Sequence, residues 1–157
     1  MAAFLLQAAG AELEITKKLL AAAPADKMDF KLGEKGRTLK DLLQHTAGSE
    51  IWFLEAIAKH SFGDPEKPVE FSTPQELVEK FTKARAESVA KVEAMSGEDL
   101  ATPVDFFGVA NFPSAMYLLW MINHTVHHRG QLSAYLRALN AHVPSIYGGS
   151  ADEPWTG

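Results

Sequence analysis

The sequence predicts an all-α four-helix bundle, and three observations support this fold class. Apolar residues recur at helical spacing over four long segments. Loops rich in proline, glycine or charged residues separate these segments. Histidines lie on the apolar faces of two segments, and bundle proteins build metal sites from side chains on such facing helices. A chain of 157 residues is long enough to bury one core, so we expect residues 1–157 to form a single domain.

The first two helices are marked by their ends. A broad apolar face predicts the first helix over residues 3–23, and Pro24 stops it. Residues 25–37 are rich in charge and glycine and are predicted to be a connector. Thr38 and Asp41 have the spacing of a capping box, which predicts the start of a second helix that continues to about Lys59.

The next two helices have similar start signals. Thr73 and Glu76 predict a capping box for a third helix, with proline at its first position, and this helix is expected to end near Gly97. Residues 98–113 are predicted to be irregular. Ser114 is predicted to cap the fourth helix, which runs to about Asn140.

The last residues, 141–157, contain prolines and glycines and predict a non-helical C-terminal tail. Its apolar residues indicate that it packs back on the bundle, and these are Ile146, Tyr147 and Trp155. Asp152 and Glu153 are expected to be solvated acids near the terminus. An alternative is that these two acids fold over a pocket, as a base or in support of a bound ion.

His124 and His128 are four residues apart, so on a helix they point the same way and can share one metal ion. Two ligands rarely hold a metal tightly, and His45 is the best candidate for a third. It lies on the predicted inward seam of the second helix, which consists of Leu42, His45, Ser49, Trp52 and Ala56. Three neutral imidazoles leave a position open for water or substrate, as in catalytic zinc sites. A metal-free core of hydrogen-bonded histidines is the alternative interpretation.

Three neighbours of these histidines are further candidates. Gln131 lies on the inward seam of the fourth helix and could hydrogen-bond a ligand or a substrate. Arg129 could bind an anionic group or pair with an acid on the bundle surface. His127 lies on the adjacent face and could support a ligand, replace one, or remain at the rim.

Composition excludes several functions. The net charge is −5 and no basic patch is evident, which argues against a nucleic-acid partner. The chain has no cysteine, so any thiol chemistry needs a thiol from outside. The apolar start lacks a positively charged leader region, and no apolar run is long enough to span a bilayer. We therefore expect a cytoplasmic protein without a membrane partner.

The residues around these histidines resemble the DinB-like superfamily of bacterial four-helix bundles, of the DinB/YfiT-like metalloenzyme type. The resemblance covers nearly the whole chain and is carried by four stretches, residues 42–45, 52–53, 124–132 and 143–148. It implies an up-down-down-up bundle, often dimeric, that binds zinc, nickel or a related divalent ion. The family's histidine triad corresponds to His45, His124 and His128.

The resemblance also implies a class of chemistry. Characterised relatives include metal-dependent thiol transferases and isomerases that use low-molecular-weight thiols such as mycothiol or bacillithiol. We expect a metal-dependent enzyme that transfers an external thiol to a small electrophilic substrate, with metal-assisted hydrolysis as the second reaction. A non-enzymatic metal-binding stress-response protein and a metal-free bundle that binds a partner are the competing classes. Three imidazoles alone suit zinc, nickel, copper and iron.

Overall fold

A computed structural model describes residues 2–155 of the chain. It is built mainly from helices, with one small antiparallel hairpin inserted before the last of them. The elements in chain order are α1 (Ala2–Ala21), α2 (Leu39–Lys59), α3 (Pro74–Glu93), α4 (Gly97–Ala101), β1 (Pro103–Phe106), β2 (Ala110–Pro113) and α5 (Ser114–Ala138). The four long helices confirm the predicted helical bundle.

The four long helices run up, down, down and up, as two apolar clusters at the ends of the bundle show. The first cluster combines the end of α1 and α5 with the start of α2 and α3, and its core includes Leu19, Leu20, Leu39, Leu43, Leu77, Phe81, Leu132 and Leu136. The second cluster combines the opposite ends of the same helices, and its core includes Ala9, Leu54, Ile57, Val92, Tyr117, Leu118 and Met121. The helices α1 and α5 are therefore parallel, and α2 and α3 run against them.

A polar layer crosses the bundle between the two apolar clusters. It contains buried polar side chains from all four long helices, namely Thr16, Thr46, Ser49, Glu50, Arg85, Ser88, Thr125, His128 and Arg129. Buried polar groups need hydrogen-bond partners, so this layer holds most of the interior's hydrogen-bonding chemistry. The three candidate histidines lie at this level.

The parallel course of α2 and α3 requires a long crossover, formed by residues 60–73. The indole N–H of Trp52 donates to the carbonyl of Asp64 at 2.7 Å, and the amide of Gln44 donates to the carbonyl of Val69 at 3.4 Å. The crossover thus runs back along α2 past its middle turns. Gly48 permits this close approach, because a Cβ there would lie 3.0 Å from the carbonyl oxygen of Lys67.

The helix starts confirm one predicted cap and correct two others. Thr38 and Asp41 form the predicted reciprocal capping box of α2. At α3 the Thr73 hydroxyl does accept from the Glu76 N–H, but the Glu76 carboxylate accepts from Ser72 rather than from Thr73. Thr73 therefore caps α3, but its own N–H is not bonded to Glu76, so the predicted reciprocal capping box is incomplete.

Ser114 does not cap α5, contrary to the prediction. Pro113 is the cap residue and offers no side-chain hydrogen bond, while Ser114 is already helical. The Ser114 hydroxyl donates to the carbonyl of Thr102, and its backbone N–H donates to the same oxygen. Ser114 thus ties the start of α5 to the preceding hairpin.

The stretch predicted to be irregular contains a helix and a hairpin. Ser96 forms a capping box with Asp99 at the start of the short helix α4. Pairing of β1 with β2 then brings Val104 opposite Phe112. The buried Tyr117 hydroxyl donates to the carbonyl of Val104 at 2.7 Å and so fixes the hairpin on the bundle.

The non-helical tail packs back on the bundle, but not through all the predicted residues. Val143 is buried and Ile146 packs on the first apolar cluster. Trp155 is 82% exposed, so the predicted contact of this residue is wrong. Asp152 accepts from Arg137 and from the backbone of Val143, and Glu153 contacts His142 and accepts from the backbone of Ser145, so the two acids brace the tail instead of covering a pocket.

Within residues 2–155, no helix has an apolar stretch of the length needed to cross a bilayer.

Candidate metal centre

The structure brings His45, His124 and His128 together at the polar layer. One ligand nitrogen from each ring lies within 4.8 Å of the corresponding atoms of the other two. The Nε2 atoms of His124 and His128 are 3.1 Å apart. The ring of His45 faces both others edge-on, with centroids 5.0 Å from His124 and 4.5 Å from His128. Facing turns of α2 and α5 thus supply a compact cluster of three imidazoles.

Each imidazole is held from outside through its Nδ1 atom. His45 Nδ1 lies 2.9 Å from Glu66 Oε2, and His128 Nδ1 lies 2.8 Å from Gln131 Oε1. His124 Nδ1 lies 3.3 Å from the Ser49 hydroxyl oxygen. A carboxylate and an amide oxygen only accept, so the rings of His45 and His128 must carry their protons on Nδ1.

The outer hydrogen bonds therefore leave the Nε2 atoms of His45 and His128 unprotonated. The Ser49 hydroxyl oxygen lies 3.3 Å from His124 Nδ1 and 3.5 Å from the carbonyl oxygen of Thr46, so the ring of His124 can carry its proton on either nitrogen. With that proton on Nδ1, the rings of His124 and His128 present two unprotonated Nε2 atoms 3.1 Å apart, which is the state that a shared cation requires. Ring N–H groups bonded to carboxylates or carbonyl groups are the usual support of metal-ligating histidines.

Burial keeps two of these rings neutral at physiological pH. Burial, together with the charges of His128 and His45, lowers the pKa of His124 from 6.5 to about 4. Burial also lowers the pKa of His128 to about 4, although the hydrogen bond to Gln131 opposes this change. A neutral imidazole is the form that binds a metal ion, so the fold maintains the competent state at pH 7.

Glu66 is a functional candidate that the sequence analysis missed. It lies in the crossover, 21 residues after His45, and only the path of that segment along α2 brings its carboxylate to the ring. An additional Cβ at Gly48 would lie 3.1 Å from Glu66 Oε1, so this glycine leaves room for the carboxylate. No local motif around Glu66 predicts the contact.

Gln131 contacts the cluster as predicted, but it is exposed and does not lie on the predicted inward seam. Its oxygen faces His128 and its amide nitrogen lies 3.0 Å from His127 Nε2. His127 is exposed and its ring neighbours that of His128, with centroids 4.9 Å apart. Gln131 therefore orients a triad ring, and His127 lies at the rim behind it.

Arg129 is directed away from the triad, toward α1 and the tail. Its guanidinium donates to the Glu12 carboxylate and, at 2.6 Å, to the Tyr147 hydroxyl. Only 1% of Arg129 is exposed. It pairs with an acid, as one of the two sequence interpretations expected, and the pair reaches the bundle surface on the side of Glu12, whose side chain is 24% exposed.

A cleft opens beside His128, with a volume of about 380 Å³. The connector before α2 forms one wall, and α5 forms the other. Its lining comprises Leu32, Lys35, Gly36, Arg37, Leu42, His128, Gln131, Ala134 and Tyr135. A small molecule in this cleft would reach the triad from the side of His128.

Comparison with known proteins identifies relatives over nearly the full length. The sequence model of the DinB family matches residues 3–155. The YrdA protein of Bacillus subtilis (strain 168), described as uncharacterized, is 26% identical over 149 residues, which cover 92% of this chain and 86% of YrdA.

Two solved structures share the fold. A DinB-like protein from Bacillus cereus ATCC 10987 superposes with a TM-score of 0.76 at 26% identity, over 91% of this chain and 95% of that one. The DinB-like protein YjoA from Bacillus subtilis superposes with a TM-score of 0.73 at 18% identity, over 90% of this chain and 96% of that one. The second match, at its lower identity, bears on the fold alone.

Proposed function

This chain belongs to the DinB family, and we propose that it binds one divalent metal ion through His45, His124 and His128. The observation that carries the proposal is the inward convergence of the Nε2 atoms, whose outer nitrogens already have partners. Three polar rings in a bundle core would otherwise need internal donors and acceptors for both nitrogens.

The residues present fit such an ion. Zinc binds histidine nitrogen at about 2.0–2.1 Å, so two ligand nitrogens of a tetrahedral site lie about 3.3–3.4 Å apart. The 3.1 Å between the Nε2 atoms of His124 and His128 is close to this spacing. Zinc and nickel are the ions we favour, because both accept imidazole and the chain offers no thiolate.

We propose that the protein is an enzyme that transfers an external low-molecular-weight thiol to a small electrophile. A divalent ion would lower the pKa of a thiol or water that it binds and so supply a nucleophile near neutral pH. With three protein ligands, the site retains a position for such a group. The thiol must come from outside, because the chain has no cysteine.

The protein residues around the site have separate tasks in this proposal. Glu66, Ser49 and Gln131 fix the orientation of the three rings through their Nδ1 atoms. The cleft beside His128 admits the small substrate and limits its size. The homodimer that the family resemblance implies is part of the same proposal, and light scattering of the purified protein tests it.

Metal content tests the binding site. Protein purified without a histidine tag is expected to contain close to one equivalent of metal by mass spectrometry, and His45→Ala and His128→Ala are each expected to lose it. His142→Ala is the matched control, because this exposed histidine pairs with Glu153 in the tail. Metal-free wild-type protein that zinc and nickel both fail to load would contradict the proposal.

Turnover tests the reaction. The metal-loaded protein is incubated with bacillithiol or cysteine and with monochlorobimane, whose fluorescence increases when sulfur replaces chloride. We expect a rate that depends on metal, with a carbon–sulfur bond formed, chloride released and the thiol proton lost to solvent. Hydrolysis of an activated ester without thiol would favour the hydrolase instead. Bound metal without either activity would favour a stress-response metal-binding protein.

A further inference from the structure

The cleft beside the triad has a cationic mouth. Lys35 and Arg37 line it from the connector, opposite Gln131 and His128 on α5. Both cationic residues are exposed. Among residues 2–155, no carboxylate lies within ion-pair distance of either one, although the whole chain carries a net charge of −5. Two unpaired cations on an acidic protein mark this mouth as a place for an anion.

The connector that carries these cations is held in place. A bridge joins Lys31 to Thr38, and the Tyr135 hydroxyl donates to the carbonyl of Arg37 at 2.8 Å. A Cβ at Gly36 would lie 2.9 Å from the same hydroxyl oxygen, so the connector packs closely on α5. The cationic residues therefore project from a fixed backbone, and an anion bound there would lose little affinity to ordering of the loop.

The rest of the cleft is apolar. Leu32, Leu42 and Ala134 line it together with the ring of Tyr135. Arg37 and His128 line the same cleft, so its cationic mouth and the triad lie at one site. A ligand that fits all these surfaces has an anionic group at one end and an apolar body, and it extends toward His128.

We infer that this cleft is the substrate site and that Lys35 and Arg37 select a small organic carboxylate with an apolar body. The planar guanidinium of Arg37 suits two parallel hydrogen bonds to a carboxylate, and Lys35 adds a second charge. The placement of the reacting end near the triad rests on the proposed function. The capture of the carboxylate depends only on the connector and α5.

A matched pair of probes tests the inference. The full chain is titrated with 3-phenylpropionate and with 3-phenylpropanamide, which has the same shape without the charge. The backbone amide of Gly36 and the side-chain amide of Gln131 report binding by NMR. Both titrations are repeated on protein treated with a chelator, because a carboxylate could otherwise bind a metal ion directly.

We expect the acid to bind about fivefold more tightly than the amide in both samples, since an ion pair with an exposed partner contributes up to about a fivefold change in affinity. The double variant Lys35→Gln/Arg37→Gln should remove the preference. Lys31→Gln should retain it, because Lys31 lies on the same connector but does not line the cleft.

Equal binding of acid and amide to the wild type would overturn the inference. A preference that survives in the double variant would overturn it as well, because Lys35 and Arg37 would then not be its cause. A preference that disappears with the chelator would also overturn it, because the carboxylate would then bind the metal and not the connector. Failure of the proposed metal site has a different signature, which is read from the metal content of the untreated protein. Mass spectrometry would then find no metal for the chelator to remove, while the preference for the acid and its loss in the double variant would persist.

Discussion

The polar layer contains two clusters of buried polar side chains, and the two clusters differ in how their hydrogen-bonding groups are paired. In the first, Arg85 donates to the Glu50 carboxylate and to the carbonyl of Ala9, and Thr125 donates to the second Glu50 oxygen. The charges of this cluster are neutralised and its hydrogen bonds are made within the protein. In the triad, only the outer nitrogens have such partners, and the inner nitrogens of His124 and His128 have each other.

This difference separates a structural cluster from a binding cluster. Glu50 and Arg85 are 4% and 5% exposed, and a buried pair of this kind holds helices together only while both partners are present. The triad, in contrast, has a cleft beside it that His128 lines. Substitutions in the first cluster should change stability, and substitutions around the second should change metal affinity.

The largest expected effect is on stability, from Glu50→Gln. Removal of the carboxylate charge leaves Arg85 buried without a counterion, which typically costs about 3–5 kcal/mol. Urea unfolding measures the loss. Glu55→Gln is the control, because its partner Lys91 is 54% exposed and such surface pairs contribute at most about 1 kcal/mol. If Glu50→Gln lost no more stability than Glu55→Gln, the first cluster would not have the structural role assigned to it.

The next effect is on metal affinity, from Glu66→Gln. Loss of a carboxylate that supports a ligating histidine typically weakens metal binding by about 10–100-fold. Competition with a zinc chelator measures this change, and the urea midpoint of the metal-free protein should move little. Glu70→Gln is the control, because this exposed residue lies on the same crossover beyond the contact with His45. Equal zinc affinities for the two variants would mean that Glu66 does not support the site.

The smallest effect is expected from Gly48→Ala. This substitution should lower zinc affinity and raise the stability of the helix. A methyl group would contact Lys67 and Glu66 and shift the carboxylate away from His45, so zinc affinity should fall by a few-fold. The helix itself should gain up to about 1 kcal/mol from alanine, which offsets the contact.

Gly130→Ala on α5 is the control for this substitution. A Cβ at Gly130 would meet no atom within 4 Å, so alanine should stabilise the helix without changing zinc affinity. Loss of zinc affinity in Gly130→Ala as well would show that glycine in these helices, and not the position of Glu66, controls the site.

Local sequence patterns predicted the long helices and the approach of the three histidines. Helical spacing places His124 and His128 on one face, and the seam of α2 places His45 toward them. Helical spacing did not predict the cluster of Glu50 and Arg85. The predicted seam of α2 does not include Glu50, although Glu50 is buried in line with Leu43, Ala47 and Leu54.

The features that the sequence could not predict depend on contacts between distant segments. Glu66 meets His45 because the crossover runs back along α2. The hairpin before α5 forms because Tyr117 and the surrounding aromatic rings bury Val104 and pack against Phe106. Propensity and spacing describe neighbours in the chain and contain no information on these paths. The single domain over residues 1–157, the cytoplasmic location and the homodimer stay predictions.

Imidazole nitrogen NMR during a zinc titration tests the central claim most directly. At one equivalent of zinc, we expect His45, His124 and His128 to become Nδ1-protonated rings with zinc-shifted Nε2 signals, while His60, His127 and His142 keep their signals. Zinc shifts at the Nδ1 atoms of the triad, or at His127 in place of a triad member, would contradict the proposal that the outer hydrogen bonds aim three Nε2 atoms at one ion.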